Sequence, residues 1–327
     1  MKDVAEHAGV STRTVSNVVN NFVHVSPAMR QLVQQSLDEL GYQMDYVARA
    51  LRSGRTGFVA LVVPNLSEPY FAELAEAVIR AARRQHLIVL VEATAGDPDV
   101  EVSIMRGALA TVAEGVLLSS VSATIEGAPD VPVVMLGEHA ASRELPHVGI
   151  DNVAAARTMV SHLLQQGYQR IAALGVQDTD TARQRYQGYQ LGLAEAGVKE
   201  ARSLELLDTV WSPQAGYDAV VRMLRRRRKP PDAIFAFNDS LAVGALRALQ
   251  DRHIDVPGEV AVAGIDGTTQ SAFASPPLTT IAPDLEELAS RALCLLSDQL
   301  AGNAAHGHQQ PTFIPFQLVI RASTRPI

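Results

Sequence analysis

Five polar side chains stand close together near the start of the chain, at positions that share one face of a helix. They are Thr12, Arg13, Ser16, Asn17 and Asn20. Hydroxyl, guanidinium and amide groups of this kind hydrogen-bond the base edges and phosphates of DNA. The pattern therefore indicates DNA recognition, although any small helical domain also exposes one polar helix to water, and that second explanation stays open at this point.

Motifs that usually mark catalysis or cofactor binding are absent from the sequence. It contains no G-x-G-x-x-G fingerprint, no phosphate-binding loop, no cluster with metal-ligand spacing and no nucleophile elbow. Two other classes of protein to consider are a nucleotide-dependent enzyme and a stand-alone sugar-binding protein. A stand-alone binding protein would need an export signal, and the amino-terminal residues contain no apolar stretch. We predict a protein that is not an enzyme and that needs neither cofactor nor metal.

Composition favours a folded protein of more than one domain. The chain has 327 residues, 47% of them hydrophobic and 19% charged, which is enough to bury two or three cores. A single cysteine, Cys294, excludes a disulfide within the chain and favours a reducing compartment. Since no uncharged apolar run reaches the roughly 20 residues that span a bilayer, we expect a soluble, cytoplasmic protein.

The charge distribution permits binding to DNA despite a net charge of -7. Residues 1–55 hold six basic and five acidic residues, so this segment carries +1 and the remainder carries -8. Half of the early basic residues are Arg49, Arg52 and Arg55. The acidity therefore belongs to the body of the protein and leaves the first segment able to approach phosphates.

Short helices are predicted for this first segment. A helix ends at the turn around Gly9, Ser11 can cap a second helix from Thr12 to about Asn20, and Ser26 with Pro27 can open a third that stops at Gly41. The apolar positions expected to face inward are Val4, Ala5 and Ala8 in the first helix, Val15, Val18 and Val19 in the second, and Val33, Leu37 and Leu40 in the third. A helix, a tight turn and a second helix with a polar face form the helix-turn-helix pattern.

From Phe58 onward, apolar strand-like runs alternate with amphipathic helices. The predicted strands are 58–63, 87–92, 115–119, 131–136, 171–175, 233–237 and 260–265, and the predicted helices include 70–85, 152–166, 188–196, 212–227 and 240–251. Strands separated by helices predict parallel sheets covered on both faces. A segment of roughly 270 residues with this alternation of strands and helices is large for a single sheet, so we expect it to form two lobes.

The residues of the first segment also follow a longer and more specific pattern. Segments 3–11, 14–16, 18–20, 24–26, 40–42 and 47–51 closely resemble the LacI/GalR family of repressors. The resemblance implies that Thr12, Arg13 and Asn17 read bases, and that Ser11, Thr14, Ser16, Asn20 and Ser26 mainly hold phosphates. His24, Val25 and Tyr42 belong to the DNA-binding positions that it implies.

The resemblance also implies a hinge helix at residues 45–52 that forms on DNA. In a dimer, two such helices enter the minor groove, where Leu51 wedges between base pairs and small Ala48 lets the helices approach. An ordinary apolar anchor is the alternative role for Leu51. The family's proline and asparagine before the hinge are missing from residues 42–45, so we expect weaker or differently tuned operator binding. The chain begins almost on the first helix, whereas relatives carry a few more residues, and an upstream start stays open.

The resemblance continues through segments 65–74, 148–152, 185–189, 235–239, 264–266 and 277–281 to the end of the chain. It implies a small-molecule effector, expected to be a mono- or oligosaccharide, held in pocket loops between two lobes. The implied effector-binding residues are Asn65, Ser67, Tyr70, Phe71, Asp151, Arg185, Trp211, Asn238, Asp239 and Asp266. Carboxylates and a guanidinium suit pairs of sugar hydroxyls, and aromatic rings suit an apolar sugar face.

Simpler structural roles remain open for several of these residues. Asp266 could cap a turn, Trp211 could belong to a core, and Arg185 could pair at the surface. Gly267 stands where the family often has a second aspartate, and Pro283 stands where an amide side chain often contacts ligand. These departures leave the identity of the effector open.

The predicted fold is an N-terminal all-α helix-turn-helix domain joined to an α/β periplasmic-binding-protein-like effector domain of two Rossmann-like lobes. The predicted boundaries are 1–44 for the reader, 45–56 for the hinge and linker, and 57–327 for the effector and dimerisation domain. Its N-lobe would comprise about 57–151 and 284–312, and its C-lobe about 152–283 and 313–327. We expect a nucleoid-associated homodimer, with pairing into tetramers left open, that represses transcription from a pseudo-palindromic operator and has no membrane partner.

Overall fold

A computed structural model of the chain describes most of the sequence. The described residues are 1–19, 24–41, 56–120, 124, 128–137, 145–198, 205–207, 211–226, 230–303 and 310–324. They fall into two compact units, Met1–Thr56 and Gly57–Ile327. The predicted hinge helix, residues 45–52, lies outside the described residues.

The first unit is built from three short helices, α1 (Lys2–His7), α2 (Thr12–Val19) and α3 (Pro27–Glu39). Gly9 has a φ of +65°, a backbone conformation that glycine adopts without strain, and it turns the chain between α1 and α2. The side chain of Ser11 accepts a hydrogen bond from Thr14 N at 3.1 Å, and that of Ser26 accepts one from Met29 N at 3.3 Å. Both predicted caps are confirmed, and they fix where α2 and α3 begin.

The helices pack around a small apolar core. Its buried members are Val4, Ala5, Ala8, Val15, Val18, Val33 and Leu37. Leu40, which the helical spacing placed on the inward face, is 45% exposed. That prediction was wrong because α3 ends at Glu39, so Leu40 lies just past its last turn.

The second unit contains two six-stranded sheets whose first five strands follow the same order and direction. The N-lobe sheet has the order β2-β1-β3-β4-β5-β11, with every pair parallel. The C-lobe sheet has the order β7-β6-β8-β9-β10-β12, in which β12 runs antiparallel to β10. The strands are β1 (Phe58–Val63), β2 (Ile88–Ala93), β3 (Val116–Leu118), β4 (Val133–Leu136), β5 (His147–Gly149), β6 (Ile171–Val176), β7 (Glu205–Leu207), β8 (Ala233–Ala236), β9 (Ala261–Ile265), β10 (Thr279–Pro283), β11 (Thr312–Phe313) and β12 (Phe316–Val319).

Helices cover these sheets and connect their strands. They are α4 (Pro69–Arg84), α5 (Pro98–Ser103) with a π-helical turn at Ile104–Ala108, α6 (Asn152–Gln165), α7 (Asp180–Glu195), α8 (Pro213–Arg226), α9 (Asp239–Gln250), α10 (Thr269–Ala272) and α11 (Leu285–Leu300). The chain passes from one sheet to the other after β5, after β10 and after β11. In the described part of the chain, no helix combines the length and the apolar character that a membrane crossing requires.

Two helix pairs of the C-lobe approach so closely that only glycine fits between them. A Cβ atom at Gly244 of α9 would overlap the carbonyl oxygen of Pro213 in α8, and one at Gly188 of α7 would overlap that of Val153 in α6. These contacts bring the helix backbones together over the buried sheet.

The two-lobed α/β fold agrees with the sequence-based prediction, and one helix begins much earlier than predicted. The pattern indicated a helix over 188–196, whereas α7 begins at Asp180, with Thr179 as its N-cap. Its first turns are largely polar and hide the apolar periodicity. Arg185, which we expected on a pocket loop, therefore lies on a helix.

Candidate functional site

A cavity of about 400 Å³ lies between the two lobes. Residues that follow β1, β3, β6, β8 and β9 reach it from the carboxyl ends of these strands. Strands β1 and β6 each lie at the point where strand order reverses, and ligands bind at such points in open α/β sheets. The lining comprises Pro64, Asn65, Glu68, Tyr70, Phe71, Leu74, Ala95, Gly96, Ser119, Ser120, Leu136, Gly137, Gly149, Ile150, Gln177, Thr179, Thr181, Arg185, Trp211, Asn238, Asp266, Pro283 and Leu288.

Arg185 is a charged residue of this cavity with several bonding partners. Its Nε donates to Asn152 Oδ1 at 2.6 Å, and its Nη1 donates to the carbonyl oxygen of Phe237. The same Nη1 lies 3.6 Å from Asp266 Oδ1, and the Arg185 side chain is only 7% exposed. A buried guanidinium is stable when its charge is paired and its donors are used, and these partners fix its orientation.

The side chain of Trp211 supports this guanidinium. Arg185 Cζ lies 5.4 Å from the centroid of the Trp211 ring, which is the geometry of a cation–π contact. The indole Nε1 donates to the carbonyl oxygen of Gly175 at 3.0 Å. Trp211 lines the cavity, but Arg185 already covers part of its ring, so the tryptophan acts first as a support for the arginine.

Two further aromatic rings belong to the first turn of α4. The ring centroids of Tyr70 and Phe71 are 5.3 Å apart, with the rings at 72° to each other. Both side chains line the cavity on the N-lobe side. Their arrangement gives the cavity an apolar wall opposite the charged groups of the C-lobe.

The loop that carries Asp266 has an unusual backbone. Asp266 has a φ of +128°, outside the conformations that residues other than glycine usually adopt, and Gly267 follows with a φ of +69°. A Cβ atom at position 267 would overlap that of Ala282. The neighbouring strand β10 therefore excludes a second aspartate at this position.

Seven of the ten predicted effector residues line the cavity, and three do not. The seven are Asn65, Tyr70, Phe71, Arg185, Trp211, Asn238 and Asp266. Ser67 donates its backbone N–H and its hydroxyl to Asn65 Oδ1, at 2.7 and 2.6 Å, and so belongs to a turn. Asp151 is the N-cap of α6, where its Oδ1 accepts from Ala154 N at 2.9 Å.

Asp239, the third residue outside the lining, lies behind the cavity wall. Its carboxylate accepts hydrogen bonds from Thr268 N at 2.9 Å, Thr268 Oγ1 at 3.0 Å and Thr280 Oγ1 at 2.6 Å. Burial raises the pKa of this carboxyl from 3.8 to about 6 even though the hydrogen bonds act to lower it. Asp239 therefore joins α9 to the loop before α10 and to strand β10.

Several polar residues that sequence reasoning did not select line the same cavity. They are Glu68, Ser119, Ser120, Gln177, Thr179 and Thr181. Ser120 donates to Glu101 Oε2 at 2.5 Å, and Thr94 donates to Glu101 Oε1 at 3.0 Å, so a buried carboxylate holds this part of the wall. Each of these lining residues follows a buried strand within a few positions, which is the signal that could have identified it.

The polar face of α2 is accessible in the first unit. Thr12 and Arg13 are exposed, while Thr14, Ser16 and Asn17 are half-buried. His24 and Ser26 are exposed before α3, whereas Val25 packs against the helical core. Of the other predicted DNA-binding residues, Asn20, Tyr42, Ala48 and Leu51 lie outside the described residues.

Comparisons with known proteins agree with both units. Residues 1–45 match the bacterial regulatory proteins of the lacI family, and residues 160–324 match the periplasmic binding protein-like domain. The transcriptional regulator DegA of Bacillus subtilis is 33% identical over 99% of this chain and 98% of its own.

Two solved structures each match this protein over 98% of its chain and 98% of their own chains. The CelR–cellobiose complex is 28% identical with a TM-score of 0.71, and the Lac repressor dimer bound to operator and the anti-inducer ONPF is 27% identical with a TM-score of 0.76. A full-length relative above 30% identity and two solved relatives with the same fold leave a single assignment. The chain belongs to the LacI family of bacterial DNA-binding transcriptional repressors.

Proposed function

We propose that this protein is a repressor whose affinity for its operator is set by a mono- or oligosaccharide in the interlobe cavity. The observation that carries the proposal is the buried Arg185, held between Asn152 and Asp266 at the cavity wall. A planar, oriented fork of donors next to a carboxylate is suited to the paired hydroxyls of a sugar.

The rest of the lining supports a sugar as the effector. Tyr70 and Phe71 provide an apolar wall for the C–H face of a pyranose ring, and Asn65 and Gln177 add amide groups that both donate and accept. A cavity of about 400 Å³ is within the usual size range of small-molecule sites. The relative CelR has been solved in complex with cellobiose, which supports the same class of ligand here.

For DNA recognition, we propose that Thr12, Arg13 and Asn17 contact base edges and that neighbouring hydroxyl groups hold phosphates. Thr12 and Arg13 stand exposed at the start of α2, where the recognition helix of a helix-turn-helix meets the major groove. A homodimer would present two such helices to a pseudo-palindromic operator, as supported by a relative solved as a dimer on its operator. Its place of action would be the cytoplasm, on chromosomal DNA.

Effector control would follow from a change in how the lobes are arranged. A sugar that binds one arrangement more tightly shifts the population toward it, and the segment 45–56 would transmit the change to the readers. Couplings of roughly 1–3 kcal/mol are typical of such switches and change operator occupancy several-fold to about a hundredfold. Leu51 and Ala48 of the hinge would complete the contact with the minor groove.

The first test is a thermal-shift screen of the intact protein against mono- and oligosaccharides that include cellobiose, with nucleosides as a second panel. We expect a saccharide to raise the melting temperature, because a ligand that binds only the folded state stabilises it. The operator would be selected from random duplexes, and its affinity would then be measured with and without each ligand that binds.

The matched variants lie on the same helix. Arg185→Met should abolish the shift caused by the saccharide, whereas Arg183→Met, which removes an exposed guanidinium paired with Asp178 and Asp180, should leave it unchanged. Stabilisation by nucleosides alone would overturn the sugar assignment. Equal, salt-sensitive affinity for every duplex would overturn sequence-specific repression.

A further inference from the structure

Two carboxylates of the N-lobe reach across to the C-lobe beside the cavity. Glu68, the N-cap residue of α4, accepts a hydrogen bond at its Oε2 from Ser240 Oγ at 2.6 Å. Glu73, one turn further along α4, accepts at its Oε1 from Thr269 N at 2.8 Å. One N-lobe helix therefore holds the C-lobe at two separate points.

The two C-lobe partners belong to one rigid assembly. Ser240 lies in the first turn of α9 and Thr269 is the first residue of α10. The residues immediately before them, Asp239 and Thr268, are buried and bonded to each other through both the backbone N–H and the hydroxyl of Thr268. Movement of the C-lobe away from α4 would consequently stretch both carboxylate contacts together.

The surroundings of the two contacts differ. Glu68 lines the cavity, and its hydrogen-bond donor Ser240 is only 6% exposed. Burial raises the pKa of Glu68, while the hydrogen bond from Ser240 acts in the opposite direction. Glu73 lies outside the cavity lining and contacts an exposed backbone N–H, so its effect on an effector would be indirect.

We propose that Glu68 and Glu73 are positioning residues that stabilise the closed arrangement of the lobes and so set the affinity of the cavity for its effector. This inference rests on the proposed function, because it concerns the same cavity. Separation of the lobes would return both carboxylates to water and open the site. An effector that binds only between closed lobes loses apparent affinity in proportion to the closed fraction.

The lobe separation can be measured without any sugar or DNA. Cys294 is exposed on α11 and is the only cysteine of the chain, and Gln250→Cys would add a second, exposed label at the end of α9 in the other lobe. Nitroxides at these two positions report the distance distribution by double electron–electron resonance. The labelled parent is the reference for every variant.

We expect Glu68→Ala and Glu73→Ala each to raise the ratio of open to closed molecules about fivefold, the change that corresponds to about 1 kcal/mol at 25 °C. The control is Glu76→Ala, which removes a carboxylate from the same helix that pairs within the N-lobe with Arg80 at 3.3 Å. Glu73→Gln keeps an acceptor for Thr269 N and should restore most of the closed population. Ser240→Ala should behave like Glu68→Ala.

Binding of cellobiose, or of the saccharide that gives the largest thermal shift, gives the second measurement. Glu73→Ala should weaken it several-fold although Glu73 does not line the cavity, and Glu76→Ala should not. If the double variant Glu68→Ala/Glu73→Ala keeps the parent distance distribution, the closing role is refuted. That outcome would leave the sugar proposal intact, and an absence of sugar binding would leave the distance measurement valid.

Discussion

Replacing Asp239 with asparagine should remove a pH dependence of stability that this one buried carboxyl creates. Asp239 is 1% exposed, and burial raises its pKa from 3.8 to about 6. Between these two pH values the folded protein keeps a proton that the unfolded chain has released. The free energy of unfolding therefore falls as pH rises through this interval, and the loss is complete above pH 6.

The magnitude follows from the size of the pKa change. At 1.36 kcal/mol for each tenfold change in proton affinity, the interval from 3.8 to about 6 corresponds to about 3 kcal/mol. About 2 kcal/mol of this loss falls between pH 4.5 and pH 7.5. Asparagine stays neutral throughout, and its amide can donate to Thr280 Oγ1 while its oxygen accepts from Thr268.

The assay is urea unfolding of the intact protein at pH 4.5 and pH 7.5, followed by the fluorescence of Trp211. This residue is the single tryptophan of the chain, and it lies in the same lobe. Between pH 4.5 and pH 7.5 the free energy of unfolding of the parent should fall by about 2 kcal/mol more than that of Asp239→Asn.

The matched control is Asp251→Asn, just past the other end of α9, where the hydrogen bond from Arg247 lowers the pKa of the carboxyl from 3.8. Because both assay pH values lie above this pKa in the folded and in the unfolded chain, Asp251→Asn should show the same change in stability between them as the parent. If the free energies of unfolding of the parent and Asp239→Asn differed by the same amount at both pH values, the reasoning would be refuted. The burial of an ionisable carboxyl would then have no energetic consequence at this site.

Three further variants test other parts of the chain. Ser26→Ala should lower the stability of the first unit by about 1 kcal/mol, measured as faster hydrogen exchange of the α3 amides in the intact protein, and unchanged exchange would contradict the cap. Gly244→Ala should destabilise the second unit by about 1–3 kcal/mol, because its Cβ would overlap the Pro213 carbonyl; an unchanged urea midpoint would show that α8 and α9 can separate without cost. Arg13→Ala should change which operator bases are preferred, as measured by selection from random duplexes, whereas an unchanged preference would mean that Arg13 reads no base.

The strands that could be predicted from the sequence are those buried on both faces. β1 is apolar throughout, and Val59 to Val63 are fully buried, so the prediction of 58–63 matches the observed strand. The two-residue β11 carries no such pattern and exists because it pairs with β5. An edge strand as short as β11 takes its conformation from the neighbouring strand that receives it, which a local pattern cannot reveal.

The candidate site was predictable where a polar residue follows a strand within two positions, as at Asn238 and Asp266. Asp239 was predicted to reach the cavity and does not line it, because one step along the helix from Asn238 turns the side chain away from the cavity. The space that it fills exists because Gly264 has no side chain, since a Cβ there would overlap Asp239 Oδ1. Such a pairing between a glycine on one strand and a carboxylate on a distant helix is a property of the folded chain only.

The crossing of the chain between the two sheets has a consequence for protein synthesis. The N-lobe takes its helix α11 from Leu285–Leu300 and its edge strand β11 from Thr312–Phe313, after the C-lobe strands up to β10 have been made. A ribosome therefore releases almost the whole polypeptide before the N-lobe can bury the faces that α11 and β11 cover. The three-helix unit at the amino terminus has its own core and leaves the ribosome before the second unit, so we expect its core to be able to form well before the N-lobe is complete.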